Sequence, residues 1–233
     1  MDTLRTGTGQ RVTEPVGLRD VTHPDLSSTL VHFVHRNRPP GIGVPEAIRA
    51  LDAVERMESI LTDGAISPFV TYSGGMPSVC MTEATQAGVS YLIETRGYEP
   101  WALMFDRQHV YAAGGGPVWY ARPDEYQMLK DDERLRTWAV ELSGQSDWSH
   151  EREWRIPRPA DSRGIAPPIP LSELGFCGVL VGDPDWDPRI FAHDPNLGIG
   201  HLPHHWDFLP LPALVGIPRY LWNPAENILL CDS

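Results

Sequence analysis

The chain has 233 residues, enough for one sizeable core, and is 41% apolar with eight tryptophans, which excludes a disordered polymer. A formal charge of −12 works against broad nucleic-acid binding, which needs a basic surface to displace counterions. Cys80, Cys177 and Cys231 form no CxxC pair, so neither a disulfide framework nor a zinc knuckle is expected.

The first residues, Met1-Asp2-Thr3-Leu4-Arg5, are polar and no run reaches membrane-spanning length, which predicts a cytoplasmic protein with no membrane partner. Residues 1–27 read as an N-terminal arm. Residues 28–233 read as a single domain, with 186–233 a Pro/His-rich extension packed on it. Leu30 to His35 has strand periodicity, with Leu30, His32 and Val34 on one face. Pro45 to Thr62 is predicted as one helix, with Pro45 at its first position, an apolar stripe of Ile48, Leu51, Val54 and Leu61, and Gly64 as a left-handed stop.

Val79-Cys80-Met81 reads as a short strand running into a helix capped by Thr82 that ends at Gly97. The apolar run Trp101 to Phe105 has the signature of a central strand, and Asp106 to His109 of a turn. Gly114-Gly115-Gly116 feeds Pro117 and a β-run rather than a helix, so it is a strand turn and not a phosphate cradle. Val118 to Tyr120 is a further strand, Asp124 to about Leu142 is helical, and Phe176 to Val181 is a buried strand. Strands interleaved with two or three helices, without regular βαβ alternation, predict an α+β fold.

The densest chemistry lies at Ser149 to Pro157. As a strand, it projects Glu151, Glu153 and Arg155 from one face and Arg152, Trp154 and Ile156 from the other. A helical reading, capped by Asp147 or Ser149, would be stopped by Pro157 after about two turns. Two carboxylates on one face are costly without partners or work. Arg155 offers the partner, giving a surface ion ladder of little energetic weight. The alternative is work on a sugar, where one carboxylate stabilises an oxocarbenium-like transition state and its neighbour prepares the acceptor. His201, His204 and His205, with His193 and Asp194, are the best metal candidates, but prolines break their spacing and no metal site is assigned. Cys80, isolated in an apolar run, reads as a small buried residue.

The segments Val79-Cys80-Met81-Thr82-Glu83, Gly115-Gly116-Pro117-Val118-Trp119-Tyr120 and Glu151-Arg152-Glu153-Trp154-Arg155, with His32 on an early strand, resemble the abortive-infection proteins of the AbiGi type. Those are similar in layout to the DarT-type ADP-ribosyltransferases, and the resemblance spans roughly residues 28 to 185. It implies a split, bent mixed sheet holding NAD in its cleft, and a toxin or phage-defence effector. It assigns Glu153, Glu151 and Arg107 to catalysis, and His32, Thr82, Tyr111, Tyr120 and Arg155 to the cofactor. A protein partner, such as an antitoxin or immunity protein, is a further implication; the acceptor is not specified. Here Arg36 to Val44 lengthens the link between the histidine strand and its helix, and the acidic charge argues against carrying over a DNA acceptor. The other readings are a non-catalytic binding or immunity module of the same fold and a metal-dependent hydrolase using the C-terminal histidines.

Overall fold

The apolar runs of the sequence line up as the strands of one large sheet. The computed structural model describes residues 26–37, 43–145, 147–193, 206–225 and 228–232. In chain order they form β1 (Thr29–Phe33), α1 (Glu46–Arg49), α2 (Ala53–Asp63), β2 (Ala65–Ile66), β3 (Ser78–Thr82), α3 (Gln86–Arg96) and β4 (Ala102–Asp106). Next come α4 (Arg107–Ala112), β5 (Gly116–Pro117), β6 (Trp119–Ala121), α5 (Pro123–Leu129), α6 (Glu133–Trp138), β7 (Ala139–Glu141) and β8 (Glu153–Pro157). The remainder is β9 (Ile169–Pro170), β10 (Phe176–Val181), β11 (Arg189–His193), β12 (Trp206–Pro210), β13 (Arg219–Asn223) and β14 (Ile228–Asp232).

Eight strands share a mixed sheet in the order β14-β13-β10-β4-β1-β3-β8-β5, in which β10 and β13 are parallel. The fold is therefore α+β, as the interleaved pattern predicts. Period-two alternation gives the sheet two buried faces. Leu30, Met81, Leu103, Phe105, Trp154 and Ile156 pack with Met57 and Leu61 of α2, while Val31, Ala102 and Leu180 pack with Val89 and Leu92 of α3. The Trp101–Phe105 run becomes β4, held between β1 and β10. Strands β13 and β14, from the Pro/His-rich end of the chain, extend this same sheet.

Several elements differ from expectation, each for a local reason. Six helices replace the expected two or three among the described residues. The Pro45–Thr62 helix is two, because Asp52 accepts from the Glu55 amide while the Glu55 carboxylate accepts from the Asp52 amide, a capping box that starts α2 afresh. The break shifts the buried stripe to Ala53, Met57 and Leu61. Gly64 does end α2, at φ 62°. Thr85, not Thr82, caps α3, leaving Thr82 in β3. The expected turn at Asp106 to His109 is helix α4, because the Asp106 carboxylate caps it. The Asp124–Leu142 helix is broken by a second cap at Asp132 and ends in strand β7.

The strand expected from Ser149 begins only at Glu153. Ser149–Glu151 is a single 3₁₀ turn, and Arg152 takes the left-handed conformation at φ 44°. A non-glycine residue there is uncommon, and it redirects the chain so that Glu151 leaves the strand face it was expected to share with Glu153.

Leu103→Ala should lower the unfolding free energy by about 2–5 kcal/mol, and Asp52→Ala by about 1 kcal/mol, both read from urea denaturation. Unchanged stability of Leu103→Ala would contradict the burial of β4 on both faces.

Candidate active site at the β3–β8 edge

Strand β1 meets β4 along its whole length but aligns with β3 at a single pair, Val31 opposite Thr82. This seam is bridged by His32, whose Nδ1 lies 2.7 Å from the Cys80 carbonyl. A carbonyl only accepts, so Nδ1 carries the proton and Nε2 is left as an acceptor in the neutral ring. Burial pulls the His32 pKa below the usual imidazole value, and the Cys80 bond only partly opposes this.

On the far side of β3, antiparallel pairing sets Cys80 opposite Arg155 and Thr82 opposite Glu153. Glu153 and Arg155 share the face opposite the buried Trp154 and Ile156, as strand alternation requires. Arg155 grips Glu153 with two parallel bonds, Nε to Oε1 at 2.7 Å and Nη2 to Oε2 at 3.0 Å. Its third nitrogen, Nη1, donates to the Thr137 carbonyl at the end of α6, at 2.6 Å. All three guanidinium nitrogens thus have protein acceptors. The expectation that Arg155 touches a cofactor is replaced by a role as counter-ion. Burial pulls its pKa down, and the Glu153 charge and hydrogen bonds more than reverse this, so the guanidinium stays charged.

Around this pair, the Tyr120 hydroxyl accepts from the Glu153 amide at 2.9 Å. Burial and the Glu153 charge push the Tyr120 pKa up to about 12, so it remains a neutral phenol. Cys80 is raised well above the usual thiol value, first by burial and then by Glu153. It is a protonated thiol and no nucleophile.

Glu151 reaches a different set of partners. Its Oε1 accepts from Tyr98 Oη at 3.0 Å and pairs with Arg36 Nη1 at 3.1 Å. The Thr82 hydroxyl donates to the Glu151 carbonyl, so Thr82 ties the turn to β3. Arg107 is buried and paired with Glu83 at 2.8 Å; the other Glu83 oxygen accepts from Trp154 Nε1 at 2.9 Å. Its placement is that of a structural ion pair rather than an open catalytic group. Tyr111 is exposed on α4 and is not among the partners of Glu151, Glu153 or Arg155 described above. The histidine group fares differently. Asp194, His201, His204 and His205 lie outside the described residues, as does the His193 side chain, and among the described residues no three metal-ligating side chains cluster.

Two concavities are found among the described residues. One of about 540 Å³ lies between the end of α2, Phe176 and Leu211; one of about 210 Å³ lies beside the seam, lined by Thr29, Val31, Ala84, Met104 and Leu180. Neither is lined by Glu151, Glu153 or His32, and the smaller falls below the few hundred cubic ångströms usual for a ligand site.

The residues that sequence reasoning missed are the partners. Glu83 reads locally as a helix-start acid yet anchors Arg107 and Trp154. Arg36 sits in a turn and Tyr98 follows a helix stop, and no spacing rule joins either to Glu151. Comparison of the chain with models of protein families, with curated proteins and with solved structures finds no match.

Arg155→Met leaves the half-buried Glu153 without its counter-ion and should cost up to about 3 kcal/mol by chemical denaturation, with part recovered in Glu153→Gln/Arg155→Met. An Arg155→Met protein as stable as the parent would show that the pair contributes nothing. Acid behaviour follows from the two histidines with lowered pKa, His32 and His150. Below the ordinary value of 6.5 the unfolded chain binds protons that the folded chain refuses, so stability falls as pH drops through the window just below 6.5. His32→Gln should flatten that slope in melts between pH 7 and about pH 5. An identical slope would remove His32 as its source.

Proposed function

We propose that the chain is an NAD-dependent ADP-ribosyltransferase that works at the β3–β8 edge, with an effector role in toxicity or phage defence as the resemblance implies. The observation that carries this reading is the seam, where β1 and β3 are joined at one pair, His32 lies on one side of Cys80, and the half-buried Glu153 on the other. By strand register His32 lies on the face of Leu30 and Trp154, and Glu153 on the opposite face, so a sheet that opens at this line would bring a dinucleotide to both groups across the strand edge. His32 Nε2 would take a ribose hydroxyl as acceptor. Glu153, oriented by the Arg155 fork, would stabilise positive charge as the nicotinamide bond breaks. Glu151, fixed by Arg36 and Tyr98 beside it, would orient the acceptor. Arg155 acts here by positioning Glu153. The finer resemblance to a split transferase sheet belongs to this same proposal.

Purified protein incubated with NAD should release nicotinamide, and Glu153→Gln should reduce the rate by more than about 10²-fold, the scale of a lost transition-state contact. Equal turnover by that variant would sink the role of Glu153.

A second reading is favoured by one specific observation: each carboxylate already has a protein partner, Glu153 in the Arg155 fork and Glu151 under Arg36 and Tyr98. On that reading the same fold is a non-catalytic binding or immunity module. It predicts no nicotinamide release and a stable complex with another protein.

A further inference from the structure

The turn before β8 meets the end of α3 in a cluster of cations and rings, of which the transferase reading uses only Arg36 and Tyr98. The guanidinium carbons of Arg36 and Arg96 each lie 5.6 Å from the Trp148 ring, and Arg36 also sits 4.4 Å over Tyr98. His150 lies 6.3 Å from Trp148 and edge-on to Tyr91 at 5.8 Å. Three nitrogens here are shielded from solvent and have no hydrogen-bond partner: Arg36 Nη2, Arg96 Nε and His150 Nε2. Buried polar atoms are normally satisfied, and the two guanidinium nitrogens, which can only donate, ask for a missing acceptor.

The charges point the same way. Arg36 faces the carboxylate of Glu151 and Arg96 stands over the same indole, while the nearby Asp147 is engaged by the Ser149 amide and hydroxyl. The His150 pKa is lowered first by burial and then by Arg96, against the opposing charges of Glu151 and Asp147. A group with several acceptor oxygens and negative charge matches two guanidiniums, and phosphate does so by geometry. The rings of Trp148, His150 and the exposed Tyr91 supply faces for a planar base. The net charge of −12 favours a small anion over a polyanion.

We propose that Arg36, Arg96, Trp148 and His150 form a binding site for the phosphate monoester of a nucleoside. The phosphate takes the unpaired guanidinium nitrogens, and the covering Trp148 indole lifts to admit it and stacks on the base. Since the site adjoins Glu151, its use as the acceptor subsite rests on the transferase reading; the binding itself does not.

Calorimetry without NAD tests it, using AMP, adenosine and inorganic phosphate as separate probes. AMP should bind saturably, and adenosine and phosphate each at least about 10-fold more weakly, because each lacks one half of the recognised group. Arg96→Gln should weaken AMP by at least about 10-fold and Arg96→Lys by less, since lysine keeps the charge but not the fork. Arg96 is chosen because Arg36 also holds Glu151, and thermal melts verify folding of both variants. Trp148→Phe should abolish the AMP-induced change in tryptophan emission. The absence of saturable AMP heat at millimolar concentration overturns the site, as does parental AMP affinity in folded Arg96→Gln. A protein that binds AMP without consuming NAD would keep the site and remove the transferase; one that consumes NAD without binding AMP would do the reverse.

Discussion

The guanidinium of Arg155, buried in the sheet face and bonded through all three nitrogens, ties the sheet to the helix beside it. Two nitrogens hold Glu153 within β8 and the third holds the Thr137 carbonyl, so a single side chain joins the sheet to the end of α6. The Thr137 hydroxyl in turn accepts from the Met76 amide, which places the loop before β3. A charge this deep is tolerated because each of its three nitrogens has an acceptor, and the same fork orients Glu153. Any chemistry at Glu153 therefore starts from a carboxylate whose orientation is already set.

The second constraint is the weak joint between β1 and β3. Most of the sheet is laced by consecutive backbone pairs, but here one aligned pair and the His32–Cys80 bond connect its two parts. On one side β1, β4 and β10 form a tightly paired block; on the other β3 and β8 carry the acidic pair's framework. Across the ends of this joint, Glu83 binds Arg107 from α4 and Trp154 from β8. The seam is thus closed by side chains rather than by the ladder, and side-chain contacts exchange for a ligand more readily than a run of backbone bonds.

How much was legible varied with the range of the determining interaction. The run Trp101 to Phe105 predicted its own central place because both of its faces are apolar. Glu153 and Arg155 were placed on one face by strand alternation alone, and their pairing followed. Glu151 was misplaced because the deciding event, the left-handed turn at Arg152, has no glycine or asparagine to announce it. Arg107 and Thr82 looked available as site residues because their partners, Glu83 and the Glu151 carbonyl, are distant in the chain or part of the backbone. The helix breaks at Asp52 and Asp132 were present as capping signals that an unbroken helical composition concealed.

By itself the sequence determined the α+β class, the apolar strands, the left-handed stop at Gly64 and the shared face of Glu153 and Arg155. Each of these depends on residues within a few positions of one another, where periodicity and backbone preference act directly. Tertiary structure alone decided that β1 and β3 align at a single pair, that Arg36 and Tyr98 claim Glu151, and that β13 and β14 complete the main sheet. Those outcomes turn on which strand edges and side chains meet across tens of residues. They are settled by burial and by the need of every enclosed donor for an acceptor, which no local pattern encodes.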